Sequence, residues 1–320
     1  MNKYIETIET WHSDPEIIRI SKLLSQGMKL WLNERESFFS SVTPYLPENI
    51  NCSYTIRSVR INMGVFYEAC LDIDGSSIPI AWANNYGCMT VQEFKNMVRS
   101  EYRTDYLSDF EFANFREPRL GNTAPNIIFR SCHPAINEGD MASRSPYSAS
   151  LGEQSKIATV INLADRQEEL LVHGTEKHWY SSFITQKKII GLSMGMEYKK
   201  LDFKSNIKTC LEFMLKHNPP YLIHCIEGKD RTGIVIALLG ALMGASADTI
   251  VDDYMLSFVN YFGFVKGEER YNMITGVMYE FLEDINEGIV PITEETAERY
   301  LMNVIGITST QINSLRLKLA

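Results

Sequence analysis

Apolar residues recur with the period of a helix along residues 15 to 42, at Ile17, Ile20, Leu23, Leu24 and Met28. Pro44, Pro47 and Asn49 then break the pattern. The period changes after that. Tyr54 to Ile61 alternates polar and apolar positions, as a half-buried strand does, and Val65 to Ile73 reads as a second strand. Asp74-Gly75 is a hairpin-turn signal, with Ile78 to Trp82 as the partner strand beyond it. Thr90-Val91-Gln92-Glu93 has capping-box spacing and opens a short helix. Residues 1–110 are therefore expected to form a helix and a small β-rich module, to which the sequence assigns no role.

From about Asn114 the pattern becomes α/β. Asn126 to Arg130, Thr159 to Leu163 and Tyr221 to His224 are short apolar runs of strand length, while Phe203 to Lys216 is amphipathic and stops at Asn218-Pro219-Pro220. Arg231 to Met243 predicts a buried helix, and helical patterns continue over Asp248 to Phe258 and Tyr271 to Ile285, with further starts near Thr293 and Thr308. Strands alternating with helices predict a central, mostly parallel sheet flanked by helices over residues 111–320. Ala135 to Ser155 reads as a long polar loop in which Arg144 is either a surface residue or a contact to substrate. His173 to Lys188, with Trp179, Tyr180, Phe183, Lys187 and Lys188, is placed as a lid or as ordinary surface.

Composition narrows the function. The 320 residues carry a net charge of −9, which argues against a general nucleic-acid binder but leaves room for a local basic pocket. The first nine residues hold acids where an export signal needs an apolar run, and no stretch approaches the ~20 apolar residues of a membrane span. A cytoplasmic location is expected. Of the six cysteines, Cys52, Cys70, Cys88, Cys132 and Cys210 read as small apolar residues, and no spacing of cysteines or of histidines such as His173 and His178 suggests a metal site or a cofactor.

The sixth cysteine has chemical neighbours. His224-Cys225-Ile226-Glu227-Gly228-Lys229-Asp230-Arg231-Thr232-Gly233 follows a buried strand and opens a helix. That geometry aims backbone N–H groups and a helix N-terminus at an anion. Ile226, Glu227, Gly228, Lys229, Asp230 and Arg231 form the cradle, with Gly228 supplying the backbone freedom of the turn. The potential that holds phosphate also favours a thiolate, so Cys225 is placed as nucleophile, and Thr232 as donor of a hydroxyl to the sulfur. Arg231 can grip two phosphate oxygens in a planar fork, and Lys229 adds a second cation. A nucleotide P-loop is excluded, because Asp230 follows the lysine where Ser or Thr is required.

This string resembles the signature of the protein tyrosine phosphatase superfamily. The Lys229-Asp230 pair makes it most similar to the bacterial tyrosine/lipid phosphatases of broad specificity. Asn114-Phe115-Arg116-Glu117, Phe129-Arg130-Ser131, Val160 to Asp165 and Asp253 to Ser257 resemble landmarks of the same family, over about residues 110 to 265. The resemblance implies a cysteinyl-phosphate intermediate and a supporting role for His224. It also implies an Asp acid about thirty residues before the cysteine, but residues 190 to 198 hold Glu197 and no Asp.

The acid is thus one of Asp165, Asp230, Glu197 and Asp202, and the resemblance favours Asp230 and Asp165. The alternatives are a brace from Asp230 to Arg116 or Arg130, and a helix cap at Asp165. Lys229 and Arg231 beside Asp230 should favour its ionised form, an objection that Asp165 escapes in a dry setting. The expected activity is a protein-tyrosine phosphatase acting on a phosphorylated protein. The alternatives are a phosphoinositide or inositol phosphate phosphatase, which the extra Lys229 suits, and a non-catalytic phosphate-binding module.

Overall fold

The helix period read at Ile17, Ile20, Leu24 and Met28 puts four buried side chains on one face of helix α1 (Pro15–Glu34). The computed structural model describes residues 15–34, 53–61, 64–73, 75–97, 99–139, 141–170, 178–288 and 291–320. The expected break at Pro44, Pro47 and Asn49, the turn residue Asp74, Cys52 and His173 lie outside these residues. The chain divides into two units, Met1–Arg99 with Phe262–Val277, and Ser100–Tyr261 with Met278–Ala320.

In the first unit, α1 packs on an antiparallel sheet of β1 (Ser53–Ile61), β2 (Gly64–Ile73), β3 (Ser76–Asn84) and β4 (Gly87–Thr90), neighbours in that order. The core joins the α1 face to Leu71, Ile78, Ile80 and Trp82, each large side chain contributing about 1.5–3 kcal/mol on burial. Ser21 Oγ donates to the Ile80 carbonyl (2.5 Å) and accepts from the Val91 N–H (2.9 Å), fixing α1 against the sheet. The capping box at Thr90 and Glu93 forms and starts α2 (Val91–Lys95). Residues 262–277 join this unit through polar contacts that no local pattern signals. Glu269 Oε1 accepts from Lys29 Nζ (2.9 Å) and the Cys88 N–H (3.2 Å), and Asn84 Nδ2 donates to the Met273 carbonyl (2.7 Å).

The second unit starts with the short helix α3 (Asp109–Phe112) and is built on a parallel sheet of β5 (Ile128–Ser131), β6 (Thr159–Asn162), β7 (Ile189–Gly191) and β8 (Tyr221–His224). The spatial order is β5-β8-β6-β7, so β8 lies inside, between β5 and β6. Parallel neighbours need crossovers, and these run through α4 (Ser145–Gln154), α5 (His178–Thr185) and α6 (Leu201–Lys216). Helix α7 (Asp230–Leu242) follows β8 and is buried at every position except Arg231. Along the chain it is followed by α8 (Ala247–Phe262), α9 (Glu269–Ile285), whose part up to Val277 belongs to the first unit, α10 (Glu294–Tyr300) and α11 (Ser309–Leu319), with a further helical turn at Leu301–Ile305. The architecture is α/β with flanking helices, as the alternation predicts. Among the described residues, no helix is long and apolar enough to cross a membrane.

The polar loop expected over 135–155 is corrected in part. Its second half is α4, which opens with a proline in its first turn and buries Ser145, Ser148, Leu151 and Gly152. Small polar residues on the buried face hide the helical pattern. Arg144 is fully buried, neither at the surface nor in contact with solvent. It donates to the carbonyls of Phe112 (2.5 Å) and Ser100 and to Tyr106 Oη (2.7 Å), over the rings of Phe112 and Tyr261. In the segment read as a lid, α5 carries a fully buried Tyr180.

Candidate active site

In a parallel sheet the carboxyl ends of the strands meet at one edge. Ser131 of β5 and Asn162 of β6 are both level with His224, the last residue of β8. The segments leaving these ends, from Cys132, Leu163 and Cys225, are therefore neighbours. Gly228 turns the last of them with φ +66°, and a Cβ there would sit 2.0 Å from the Ser131 carbonyl oxygen, so glycine is required. Gly233 lets α7 approach α8, since a Cβ would lie 2.6 Å from the Tyr254 ring.

The carbonyls of this loop are held from outside it. Ile226 O accepts the His133 N–H (2.9 Å), and Glu227 O accepts from Tyr261 Oη (2.6 Å) and Asn114 Nδ2 (3.2 Å). Gly228 O accepts from Arg130 Nη2 (2.7 Å) and Asn114 Nδ2 (3.3 Å), and Lys229 O from Arg130 Nη2 (3.0 Å) and the Gly233 N–H (2.9 Å). In a trans peptide the N–H points opposite to the C=O. Carbonyls drawn outward thus turn the N–H groups of Glu227, Gly228, Lys229 and Asp230 to the inner side, the arrangement that binds an anion.

The outer brace centres on Asp253 of α8. It accepts Arg116 Nε at 2.9 Å and Arg130 Nη1 at 2.5 Å. Burial works to raise the Asp253 carboxyl, but the two guanidinium charges hold it below the usual carboxylate range. Burial, with Arg130 beside it, pushes Arg116 down to about 10. Arg116 Nη1 also donates to Asn114 Oδ1 (2.6 Å), which aims the Asn114 Nδ2 at the loop. The brace considered between Asp230 and these arginines is thus made by Asp253.

Within the loop, Cys225 is buried, directly after the strand end. Arg231 is half-buried, and its Nη1 donates to the carbonyls of Leu163 and Met194, both at 3.3 Å. A fork anchored at one corner loses little further freedom on gripping a ligand. Thr232 Oγ1 is buried without a hydrogen-bond partner, so the expected bond to the Cys225 sulfur is not made. Lys229 is also buried, with Nζ 2.8 Å from Glu227 Oε2 and 3.6 Å from Asp230 Oδ2. Asp230 Oδ1 accepts from Tyr254 Oη (3.1 Å). Burial pushes the Asp230 carboxyl up; the Lys229 charge opposes this and the Glu227 charge reinforces it. Burial, which the sequence does not display, outweighs the neighbouring cations.

Asp165 has the opposite balance. Burial works to raise its carboxyl, but bonds from His133 Nε2 and Asn162 Nδ2, both 2.8 Å to Oδ2, hold it well below the usual range. The dry setting that would have let it keep a proton is therefore overridden. Asp165 is the centre of a buried network. Asn162 Oδ1 accepts the N–H groups of Ala164 (2.8 Å) and Asp165 (3.0 Å), which fixes its amide, and Nδ2 donates to Tyr180 Oη (2.9 Å). Tyr180 in turn faces His224 Nε2 at 3.1 Å, and His224 Nδ1 faces the Cys225 carbonyl at 3.3 Å. With Tyr180 accepting from Asn162, its own proton goes to His224 Nε2, which leaves His224 protonated on Nδ1. Burial, with His133 beside it, keeps His224 well below the ordinary histidine value, hence neutral.

Sequence reasoning did not place His133, Asn162 or Tyr180 in this network, although Asn162 lies within the Val160 to Asp165 landmark and Tyr180 in the segment read as a lid. Only their positions, at strand ends and on a buried helix face, bring them together. Glu197 pairs with Lys200, and Asp202 is exposed on α6. Cys70, Cys88, Cys132, Cys210 and Cys225 are in no disulfide, and burial pushes the thiols of Cys70, Cys88 and Cys210 up to about 11, 12 and 12. Among the described residues, no cluster of His, Cys, Asp and Glu is arranged to hold a metal ion.

Comparison with known proteins agrees with the loop chemistry. The model of the tyrosine phosphatase family matches residues 123–320, more than half of the chain. The triple specificity protein phosphatase PtpB of Mycobacterium tuberculosis is 38% identical over 67 residues, 20% of this chain and 24% of that protein. The match thus spans about a quarter of this relative's length. Among solved structures, the core catalytic domain of the PP-IP phosphatase SIW14 from S. cerevisiae aligns over 56% of this chain and 96% of its own, at 20% identity and a TM-score of 0.29.

Proposed function

Because the chain belongs to the tyrosine phosphatase family, we propose that it hydrolyses phosphomonoesters through a cysteinyl-phosphate intermediate. The observation that carries this reading is the ring of outward-held carbonyls behind Cys225. It turns four backbone donors inward, beside the anchored Arg231.

In the first step the Cys225 thiolate attacks phosphorus, the S–P bond forms and the P–O bond to the leaving group breaks. Arg231 and the inward N–H groups hold the equatorial oxygens, where the charge of the transition state lies. Asp230, whose carboxyl burial pushes up, gives its proton to the leaving oxygen. In the second step water attacks phosphorus, its proton returns to Asp230, and the S–P bond breaks to release phosphate and thiolate. Asp165, held ionised by His133 and Asn162, positions the network beneath the loop. His224, with its Nδ1 at the Cys225 carbonyl, supports the nucleophile's backbone. All these residues lie in the second unit, to which we assign the catalysis.

The substrate class proposed is phosphotyrosine in proteins, in keeping with the protein phosphatase relative. A phosphoinositide or inositol phosphate substrate is the second reading. It drew on Lys229 as an added cation, and the burial of Lys229 against Glu227 weakens that support. A panel of phosphotyrosine peptides, phosphoserine peptides and phosphoinositides, compared by kcat/KM, tests the choice. Highest kcat/KM on a phosphoinositide would reverse it, and no turnover of any substrate would leave a phosphate-binding module.

A further inference from the structure

Lys229 presents a problem of charge. Its ammonium is buried, 4.9 Å over the Phe258 ring, and lies between two carboxyl groups. The nearer is Glu227 Oε2 at 2.8 Å, and the farther is Asp230 Oδ2 at 3.6 Å. A desolvated ammonium takes the best carboxylate within reach. The backbone of Glu227 is fixed at its carbonyl by Tyr261 and Asn114, which holds its side chain on the Lys229 side of the turn. Without Glu227, the ammonium would close on Asp230.

We propose that Glu227 is a positioning residue whose carboxylate holds the Lys229 ammonium off Asp230 and so sets proton transfer to the leaving oxygen. The proposal rests on the reading of Asp230 as the acid. An ammonium paired with Asp230 would stabilise its carboxylate and withdraw the proton that the leaving group needs. The other groups that face Asp230 are Arg231 on its own helix and Tyr254 on α8. Arg130 of β5 stands behind them, committed to Asp253 and to the loop carbonyls. Glu227 is therefore the adjustable element. The same pairing makes Lys229 an internal charge of the loop and not a further contact for a second phosphate group.

The test is the pH dependence of kcat on an aryl phosphate with a poor leaving group. It is measured for the wild type, Glu227→Gln, Lys229→Met and the double variant. Glu227→Gln should move the alkaline limb to lower pH by about two units, the effect of one charge several ångströms away in an effective dielectric near 20. Lys229→Met should move it upward. The double variant, which leaves no unpaired charge and so guards against a folding defect, should return near the wild type. An alkaline limb that stays in place in Glu227→Gln, or a shift that Lys229→Met does not reverse, overturns the proposal. Asp230→Asn, run on good and poor leaving groups, separates the two levels. If it slows only the poor one while Glu227→Gln leaves the limb in place, the role of Glu227 alone fails. If it slows both alike, the acid assignment fails and the Glu227 proposal falls with it.

Discussion

His133 Nε2 lies 2.8 Å from Asp165 Oδ2, and the Ala135 N–H donates to the other ring nitrogen of His133 at 3.0 Å. A nitrogen that accepts carries no proton, so the Nε2 proton of His133 faces Asp165. Asp165 is thereby a committed acceptor. Asp230, which accepts from the Tyr254 hydroxyl and whose carboxyl burial pushes up, is the one we propose as proton donor.

Asp230→Asn should slow an aryl phosphate with a poor leaving group by roughly 100–10,000-fold, the usual reach of general acid catalysis, and a good one far less. Asp165→Asn should slow both by similar factors, because it disturbs the network and not the proton transfer. Single-turnover rates on the two substrates check this. A selective loss in Asp165→Asn would exchange the roles.

Cys225→Ser should abolish turnover and keep binding of a phosphate ester, since the backbone donors and Arg231 remain. Calorimetric binding of a phosphotyrosine peptide, alongside an activity assay, measures both. Residual kcat near the wild-type value would remove Cys225 from the nucleophile's place.

Arg231→Lys should lose most of kcat, because an ammonium has no planar fork and cannot bond the Leu163 and Met194 carbonyls while holding two oxygens. Near-normal kcat in this variant would make Arg231 a structural tie between loops.

Stability should fall on the acid side through Asp165 and Asp253. Both carboxyls are lowered in the folded protein, so their contribution is present above the unfolded value of about 3.9. It is lost as pH falls through their folded values. Asp230 is raised and has the opposite sign: its contribution is present below about 3.9 and lost as pH rises through its folded value. Tm measured between pH 3 and 7 should drop below about pH 4, and the drop should be shallower in Asp253→Asn. An equal slope in that variant would deny Asp253 its share.

The chain from His224 to Gly233 is legible in the sequence because its chemistry is local. A strand end, a Gly turn and a helix start lie within ten consecutive residues, and nucleophile, cradle and fork are all on that segment. The alternation in β1 and the helical period of α1 are legible for the same reason, being repeats over short spans. What surrounds the loop is not local. Parallel pairing brings Asn162 level with His224, and the resulting network joins His133 to Asp165 across 32 positions and Tyr180 to His224 across 44. Arg130 reaches Asp253 across 123. No spacing rule encodes such pairs. The upward shift of the Asp230 carboxyl is decided in the same way. The sequence displays two cations beside it, but only the tertiary structure supplies the burial that outweighs them, together with the Glu227 carboxylate that takes up one.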